Sequence, residues 1–268
     1  MPELPEVQMV ANSIDGIKGK KISNFVSIWH NSCKNCDPIE FDRLVFNLKI
    51  RSVYRRWKFI IIKTDKLYIL CHLRMTGKLY IGIDKDINTR YTCSYFRLSD
   101  GSYLIYDDIR KFGGFYLFRS LSELSPRYGM DPYDKAFTGE WLYINLKKRK
   151  KMIKSFLLDQ SILAGLGNIY IDEVLWESMI YPTRLSNNIS RKQSDLLFKS
   201  ILDTLDKSIS YHGTTLINFS FDGFKTGGYK EHLKVFTRKD KPCLRCANEI
   251  QKIKVAGRGT YICKHCQK

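Results

Sequence analysis

Nowhere in the 268 residues does an apolar run approach the ~18 needed to span a bilayer as a helix, so membrane insertion of that kind is not expected. The opening, MPELPEV, carries two acids and lacks the apolar core of a secretory leader, so an intracellular location, cytoplasm or nucleoid, is expected. Internal repeats and low-complexity tracts are missing as well, which sets aside solenoids and biased linkers. Acidic residues are scarce: 27 Asp and Glu face 45 Lys and Arg, a formal net charge of +18. A deficit of that size favours a polyanionic partner, nucleic acid first, because the basic residues cluster with aromatics and glycines instead of standing alone on a solvated face. The eight cysteines of an intracellular chain point to metal or buried thiols more than to disulfides. What is plentiful is apolar content, 44%, enough for proper cores in one large unit or in two domains plus a small module.

After Pro5, the residues Val7, Val10, Ile14 and Ile17 recur on one helical face. Glu3 and Glu6 sit at the positive end of this helix, Pro5 suits its first turn, and Gly16 and Gly19 are expected to end it. From Lys20 to about Arg119 the pattern is β, with runs such as Phe59–Ile62, Leu67–Leu70 and Tyr103–Tyr106 and a tight hairpin at Asp100-Gly101. Many short strands behind one helix predict a β-sandwich. Residues 126–132 read as a linker. Beyond it, apolar positions on either side of Gly165-Leu166-Gly167-Asn168 predict helix, glycine turn, helix. A further helix is expected over about Ser190–Ser210 and a cysteine-rich hairpin over about 235–268. The fold class is therefore α+β, with domains at 1–125, 137–233 and 234–268 and a linker at 126–136.

Four patterns carry chemistry. In the first, Cys243-x2-Cys246 and Cys263-x2-Cys266 can each present two thiolates to one tetrahedral ion, the spacing of a four-cysteine zinc ribbon. Four thiolates leave no open position for water, so a single Zn2+ would be structural and would supply the folding energy of a module with little core. Four unmetallated buried thiols are the bland alternative. Cys33-x2-Cys36, a single pair, reads as coincidence on a loop, and Cys71 and Cys93 read as core thiols. In the second pattern, Pro2 follows the initiator Met, and removal of Met1 would expose a secondary α-amine. Such amines titrate near ~8, against ~10.4 for Lys, so more free base exists at neutral pH. The amine could attack a sugar C1′ and form a protonated imine, with Glu3 beside it as acid/base, although Met-Pro-Glu also begins ordinary chains. In the third, Gly165-x-Gly167-Asn168 opens a helix whose free N–H groups could hold a phosphate, or simply turns the chain. In the fourth, DIRKFGG at Asp108–Gly114 places Arg, Lys and Phe at a β-loop tip suited to entering a duplex. A basic hairpin with a core Phe is its alternative.

Taken together, the four patterns resemble the formamidopyrimidine-DNA glycosylase/endonuclease VIII family. MPELPEV is similar to the opening of the formamidopyrimidine branch. IKSFLLDQSILAGLGNIYIDEVL resembles the family's helix–two-turn–helix segment, and PCLRCANEIQKIKVAGRGTYICKHCQ its zinc finger. The resemblance runs from Met1 to Gln267 and is weakest at about 27–50 and 183–210. It implies a β-sandwich flanked by helices, a helix–two-turn–helix domain and a zinc finger, acting as a monomer on damaged double-stranded DNA bound across the cleft between domains. It further implies that Pro2 is the Schiff-base nucleophile, Glu3 the acid/base that assists sugar-ring opening, and Glu6 a supporting carboxylate. Lys58 would contact the DNA backbone from a hairpin turn and assist β-elimination. Arg258, linked to δ-elimination, would bind phosphate together with Asn168 and Lys150. Met75, Arg110 and Phe112 would fill the gap left by the flipped base.

The sequence also departs from the family pattern. Trp57 stands where a small residue is usual, and Lys111 replaces a second Arg. Tyr91 takes the place of a DNA-contacting His and is expected to bind DNA. The stretch 221–230 matches the lesion-capping loop only loosely. The implied activity is that of a DNA-formamidopyrimidine glycosylase and AP lyase removing oxidised purines: formamidopyrimidines, hydantoins and 8-oxoguanine. One rival is an endonuclease VIII-like preference for oxidised pyrimidines, against which Met75 and the Arg110–Phe112 loop argue. The other is a catalytically silent DNA-binding homologue, against which Pro2 and Glu3 argue.

Overall fold

The computed structural model describes residues 1–87, 90–124, 127–216, 220–221 and 225–268. The chain divides into two compact units: Met1–Ser125 with Tyr211–Gly228, and Pro126–Ser210 with Tyr229–Lys268.

The first unit opens with α1 (Leu4–Ser13). Pro5 occupies the first turn, where a missing N–H costs no helical bond. Val7, Val10, Ile14 and Ile17 are all buried, as their spacing predicts. The helix stops at Ser13, ahead of Gly16, with Ile14 as its C-cap. There follow β1 (Ile22–Ser27), α2 (Pro38–Val45), β2 (Ile50–Arg56), β3 (Phe59–Thr64), β4 (Tyr68–His72), β5 (Gly77–Gly82), β6 (Thr92–Leu98), β7 (Tyr103–Asp108) and β8 (Gly114–Phe118). They form two antiparallel four-stranded sheets, ordered β1-β6-β7-β5 and β2-β3-β4-β8. Phe115 of the second sheet reaches rings of the first: its centroid lies 5.1 Å from Phe96 and 5.3 Å from Tyr106. Phe25 and Phe41 of α2 complete the cluster, 4.5 Å apart. Edge-on and tilted rings at such distances add to the burial of apolar area that holds the sheets together.

The second unit is helical: α3 (Gly139–Lys147), α4 (Ile153–Leu158), α5 (Asn168–Glu177) and α6 (Arg191–Ser210), followed by the hairpin β9 (Gln251–Val255) and β10 (Arg258–Ile262). Residues Ile169 to Trp176 of α5 are all buried, which makes it the central helix of this unit. On the amphipathic α6, Leu197, Ile201 and Leu205 face inward at helical spacing. Ala256 and Gly257 turn β9 into β10 with φ of 51° and 72°, the left-handed pair that a two-residue hairpin needs. Trp176 of α5 packs with Val235, Ile250, Cys243 and Cys263, so the hairpin module is seated on α5. The α+β class, with sheets first and helices with a cysteine cluster after, agrees with the sequence reading.

Two segments behave differently from their sequence reading. Within 126–136, read as a linker, Gly129 N donates to Gln160 O (2.8 Å) and Met130 N to Ile162 O (2.9 Å), so backbone pairing embeds part of it in the second unit. The range 137–233 was expected to be one helical domain, yet 211–228 belongs to the first unit. Truncation of Phe115 to Ala should cost about 3–5 kcal/mol, because a buried ring shared by both sheets is lost and the cavity cannot fully collapse. Urea denaturation would check this; a loss below about 1 kcal/mol would show that the cluster does not bridge the sheets.

Candidate active site and nucleic-acid interface

Pro2 and Glu3 are buried, whereas Met1 before them is 53% exposed. Glu3 is the N-cap of α1, and its backbone N–H donates to Glu6 Oε2 (2.8 Å). The other Glu6 oxygen, Oε1, accepts the N–H of Thr214 (2.7 Å). A buried carboxylate needs such donors, and Glu6 is almost completely buried. The Thr214 bond ties the start of 211–228 to α1 within the first unit. Gly213, at φ +81°, passes so close that a Cβ would stand 3.0 Å from Glu6 Oε1, so both backbone conformation and space call for glycine there.

Lys58 lies in the two-residue turn between β2 and β3, closed by the Arg56–Phe59 pair. Trp57 precedes it with φ +55°, a left-handed conformation that favours glycine and is costly for a bulky side chain. The Trp57 ring is buried and covered by the Arg56 guanidinium, 4.6 Å from the ring centroid, and its carbonyl accepts Arg55 Nη1 (3.2 Å). Packing and a cation–π contact thus offset the strain of this backbone. Lys58 itself is buried.

The exposed tip of this unit combines two turns. Met75 (47% exposed) sits in the turn after β4, and Phe112 (55% exposed) in the loop after β7. Arg110 joins them: Nη1 lies 2.7 Å from Met75 Sδ, and the guanidinium stands 4.8 Å from the Phe112 ring centroid. Lys111 is exposed beside them with φ +56°. Tyr91 is half-buried, its ring under the Arg90 guanidinium (5.3 Å) and its carbonyl accepting the Asp108 N–H (3.0 Å). Of the stretch read as a lesion-capping loop, residues 222–224 lie outside the described residues, while Phe221 and Lys225 exchange backbone hydrogen bonds of 2.9 Å.

In the second unit, Asn168 begins α5, and its Nδ2 donates to Gly259 O (3.0 Å) next to Arg258. Its Oδ1 is buried with no hydrogen-bond partner among the described residues. Arg258 itself is exposed at the start of β10. Further along that strand, the fully buried Lys154 of α4 bridges Asp172 Oδ1 (2.6 Å) and Thr260 Oγ1 (2.7 Å), while Asp172 Oδ2 accepts the Tyr261 N–H (2.9 Å). Three side chains from α4 and α5 therefore fix the strand that carries Arg258. Lys150 is exposed in the basic run behind α3, where Lys151 pairs with Asp159 (2.8 Å).

The ligand atoms of Cys243, Cys246, Cys263 and Cys266 lie within 4.8 Å of one another. Two of the separations are 3.9 Å (Cys243–Cys266) and 3.4 Å (Cys246–Cys263). A tetrahedron of sulfurs at the Zn–S length has edges of about 3.8 Å, so this donor set fits a four-thiolate metal site. N–H donors already face the sulfur: Trp176 Nε1 and Arg245 N each lie 3.4 Å from Cys243 Sγ. The side-chain amide and backbone N–H of Asn248 bring the Cys246 thiol down to about 6, whereas burial raises Cys263 and pushes Cys266 up to about 12, so a bound cation would have to complete the deprotonation of the set. Cys71 and Cys93 are buried in strands, as expected of core thiols. Cys33 bridges to Phe115 by its backbone, with Cys36 half-buried nearby in sequence.

Two groups escaped the sequence reading. Asp108 was noted only as the start of the loop, yet it is fully buried and anchors both exposed turns. Its position at a strand end before DIRKFGG was the available signal. His72 had no signal. Its Nδ1 accepts the Arg74 N–H (3.0 Å), and its ring meets Phe59 edge-on at 4.8 Å. Burial, then the Arg74 and Lys58 cations, push this imidazole down to about 3, so it remains a neutral acceptor for the turn that carries Met75.

The family relationship covers the whole chain. The formamidopyrimidine-DNA glycosylase N-terminal domain matches residues 1–115, the formamidopyrimidine-DNA glycosylase H2TH domain 128–220, and the zinc finger found in FPG and IleRS 240–268. The formamidopyrimidine-DNA glycosylase of Bacillus licheniformis is 38% identical over 274 residues, covering 100% of both chains. Among solved structures, the Lactococcus lactis FPG in complex with abasic-site DNA superposes with a TM-score of 0.91 at 33% identity, over 100% of both chains. A mutant of the same L. lactis enzyme bound to Fapy-dG-containing DNA reaches 0.92 at the same identity and coverage. The sheets, the helical region and the finger thus define a DNA glycosylase with a four-cysteine finger. Within that class, the chain belongs to the formamidopyrimidine-DNA glycosylase family.

His72 carries a pH dependence. An unfolded His titrates near 6.5, so below that pH the unfolded chain binds a proton that the native imidazole refuses until about pH 3. Stability is therefore lost as pH falls, by about 2 kcal/mol at pH 5 from this group. His72→Gln should lose that much less than the wild type between pH 7 and pH 5 in denaturant titrations. Equal losses in the two proteins would contradict the assignment.

Proposed function

We propose that the chain is a bifunctional DNA glycosylase/AP lyase of base excision repair that removes oxidised purines from double-stranded DNA. The observation that carries this reading is the full-length likeness to formamidopyrimidine-DNA glycosylases together with a Pro-Glu pair held at the start of α1. Once Met1 is removed, the Pro2 nitrogen attacks C1′ of the flipped nucleotide, the bond from C1′ to the base breaks, and Glu3 assists opening of the sugar ring. The Pro2 iminium acidifies the C2′ proton, and β- then δ-elimination cuts the strand on both sides. Lys58 assists the first elimination and Arg258 the second. Glu6 supports the site by holding the Glu3 backbone. Asn168, Lys150, Arg258 and Tyr91 bind the DNA backbone, positioning the duplex without reading its sequence. Met75, Arg110 and Phe112 enter the stack as the base leaves, offsetting an unstacking cost of a few kcal/mol. An Arg at the orphan base favours cytosine, which offers acceptors to a guanidinium, and a lesion opposite cytosine is a damaged guanine. One Zn2+ held by Cys243, Cys246, Cys263 and Cys266 would fold the finger and so place Arg258. Among the described residues no helix is long and apolar enough to cross a membrane. We place the enzyme in the cytoplasm or nucleoid, working as a monomer.

Borohydride added during reaction with a formamidopyrimidine:cytosine duplex should trap an adduct that maps to Pro2, and protein retaining Met1 should trap poorly. An adduct on Lys58 would overturn the assignment of the nucleophile. In a single-turnover panel, formamidopyrimidines and hydantoins opposite cytosine should be excised readily. Faster removal of oxidised pyrimidines, with no preference for cytosine, would replace the purine reading.

Metal analysis should find one zinc per chain, and chelation should abolish DNA binding and cleavage together. Active protein without zinc would refute the structural role.

A further inference from the structure

We propose that Asp108 is a positioning residue for base eversion, holding Met75, Arg110 and Phe112 as one preformed wedge. The inference rests on the reading of that trio as the residues that enter the DNA stack. Asp108 closes β7, and its side chain is fully buried directly beneath the exposed tip. Oδ1 accepts the Thr76 hydroxyl (2.5 Å) and the Arg110 N–H (3.1 Å). Oδ2 accepts the N–H groups of Phe112 (2.9 Å) and Gly113 (2.8 Å) and the Tyr106 hydroxyl (3.2 Å). The Arg110 N–H also lies 3.1 Å from the Thr76 hydroxyl, which ties the Met75 turn to the Arg110 loop. Gly113 has no room for a side chain: a Cβ would collide with the Tyr106 hydroxyl and the His72 carbonyl.

Five donors converge on one carboxylate, and bonds to an ionised acceptor are about twice as strong as neutral ones. The side chains that would enter the duplex are exposed and gain little from the protein around them. Their backbone must therefore be ordered from below. A loop already held in its working geometry loses less conformational freedom when it inserts, and that saving appears in the rate of eversion. Asparagine cannot replace this acceptor. In either orientation its NH2 faces the Arg110 N–H and Thr76 hydroxyl, or the Phe112 and Gly113 N–H groups.

Asp108→Asn and the milder Thr76→Val would test the proposal. Wedge insertion is read from 2-aminopurine placed beside the base opposite an uncleavable analogue of the lesion nucleotide, with total binding followed by anisotropy on the same duplex. Wild-type protein should give a fluorescence rise on binding. Asp108→Asn should bind but show an insertion rate about tenfold to hundredfold lower, the loss expected from hydrogen bonds to a charged group, and Thr76→Val a loss of about three- to tenfold. In single-turnover assays, the ratio of lesion excision to cleavage at a preformed abasic site should fall by a similar factor, because the abasic site has no base to unstack. A general folding defect would lower both activities together and leave the ratio unchanged. Unchanged insertion, or an unchanged ratio in both variants, would overturn the role of Asp108. Wild-type protein that inserts but excises no lesion would overturn the proposed glycosylase activity, and the insertion comparison would still decide the role of Asp108.

Discussion

A carboxylate taken out of water must be met by donors, and in this basic chain the donors are often the backbone amides of turns. Glu6 joins the Glu3 and Thr214 amides. Asp108 gathers the amides of Arg110, Phe112 and Gly113. Asp172 takes the Tyr261 amide, and Glu173 those of Lys234, Val235 and Phe236 at the entrance to the finger. Each arrangement satisfies a buried charge and at the same time fixes a backbone segment.

This scheme separates support from action. The proposed working groups on the surface, Met75, Arg110, Phe112, Lys150 and Arg258, have exposed side chains. Such side chains contribute little packing energy of their own. For Met75, Arg110, Phe112 and Arg258 the backbone is held by buried polar networks one layer below, at Asp108 and at Lys154–Asp172, where low dielectric strengthens each hydrogen bond. Lys154 shows the same division: a fully buried cation that contacts no surface, yet holds both α5 and the strand bearing Arg258. The finger follows it too, since its small core rests on Trp176 of α5, and Arg245 caps that ring at 4.0 Å while donating to the Trp176 carbonyl.

Trp57 and Gly213 mark two ways of placing an unusual backbone. Gly213 takes a positive φ at no steric cost. Trp57 takes one against its own preference and is held there by burial and the Arg56 guanidinium. The sequence reveals that Trp57 is out of pattern but not how it is accommodated, because the compensation comes from packing.

Much of the architecture was legible in local pattern. Helical periodicity marked α1, turn signals marked the strands, and cysteine spacing marked the finger, since each of these is written within a short stretch of chain. The proposed site was read from residue type and spacing at Pro2-Glu3, the DIRKFGG loop and the paired cysteines, and of these the four cysteines are brought within 4.8 Å of one another. What local pattern could not supply was the set of partners distant in sequence. Glu6 reaches Thr214 across 208 positions, Lys154 reaches Thr260 across 106, and Asp108 meets Thr76 across 32. The grouping of 211–228 with the first unit and the neutral state of His72 belong to the same class. A residue's type and its near neighbours determine what it can donate or accept, but only folding decides which distant group lies within hydrogen-bond reach and how much water remains around it.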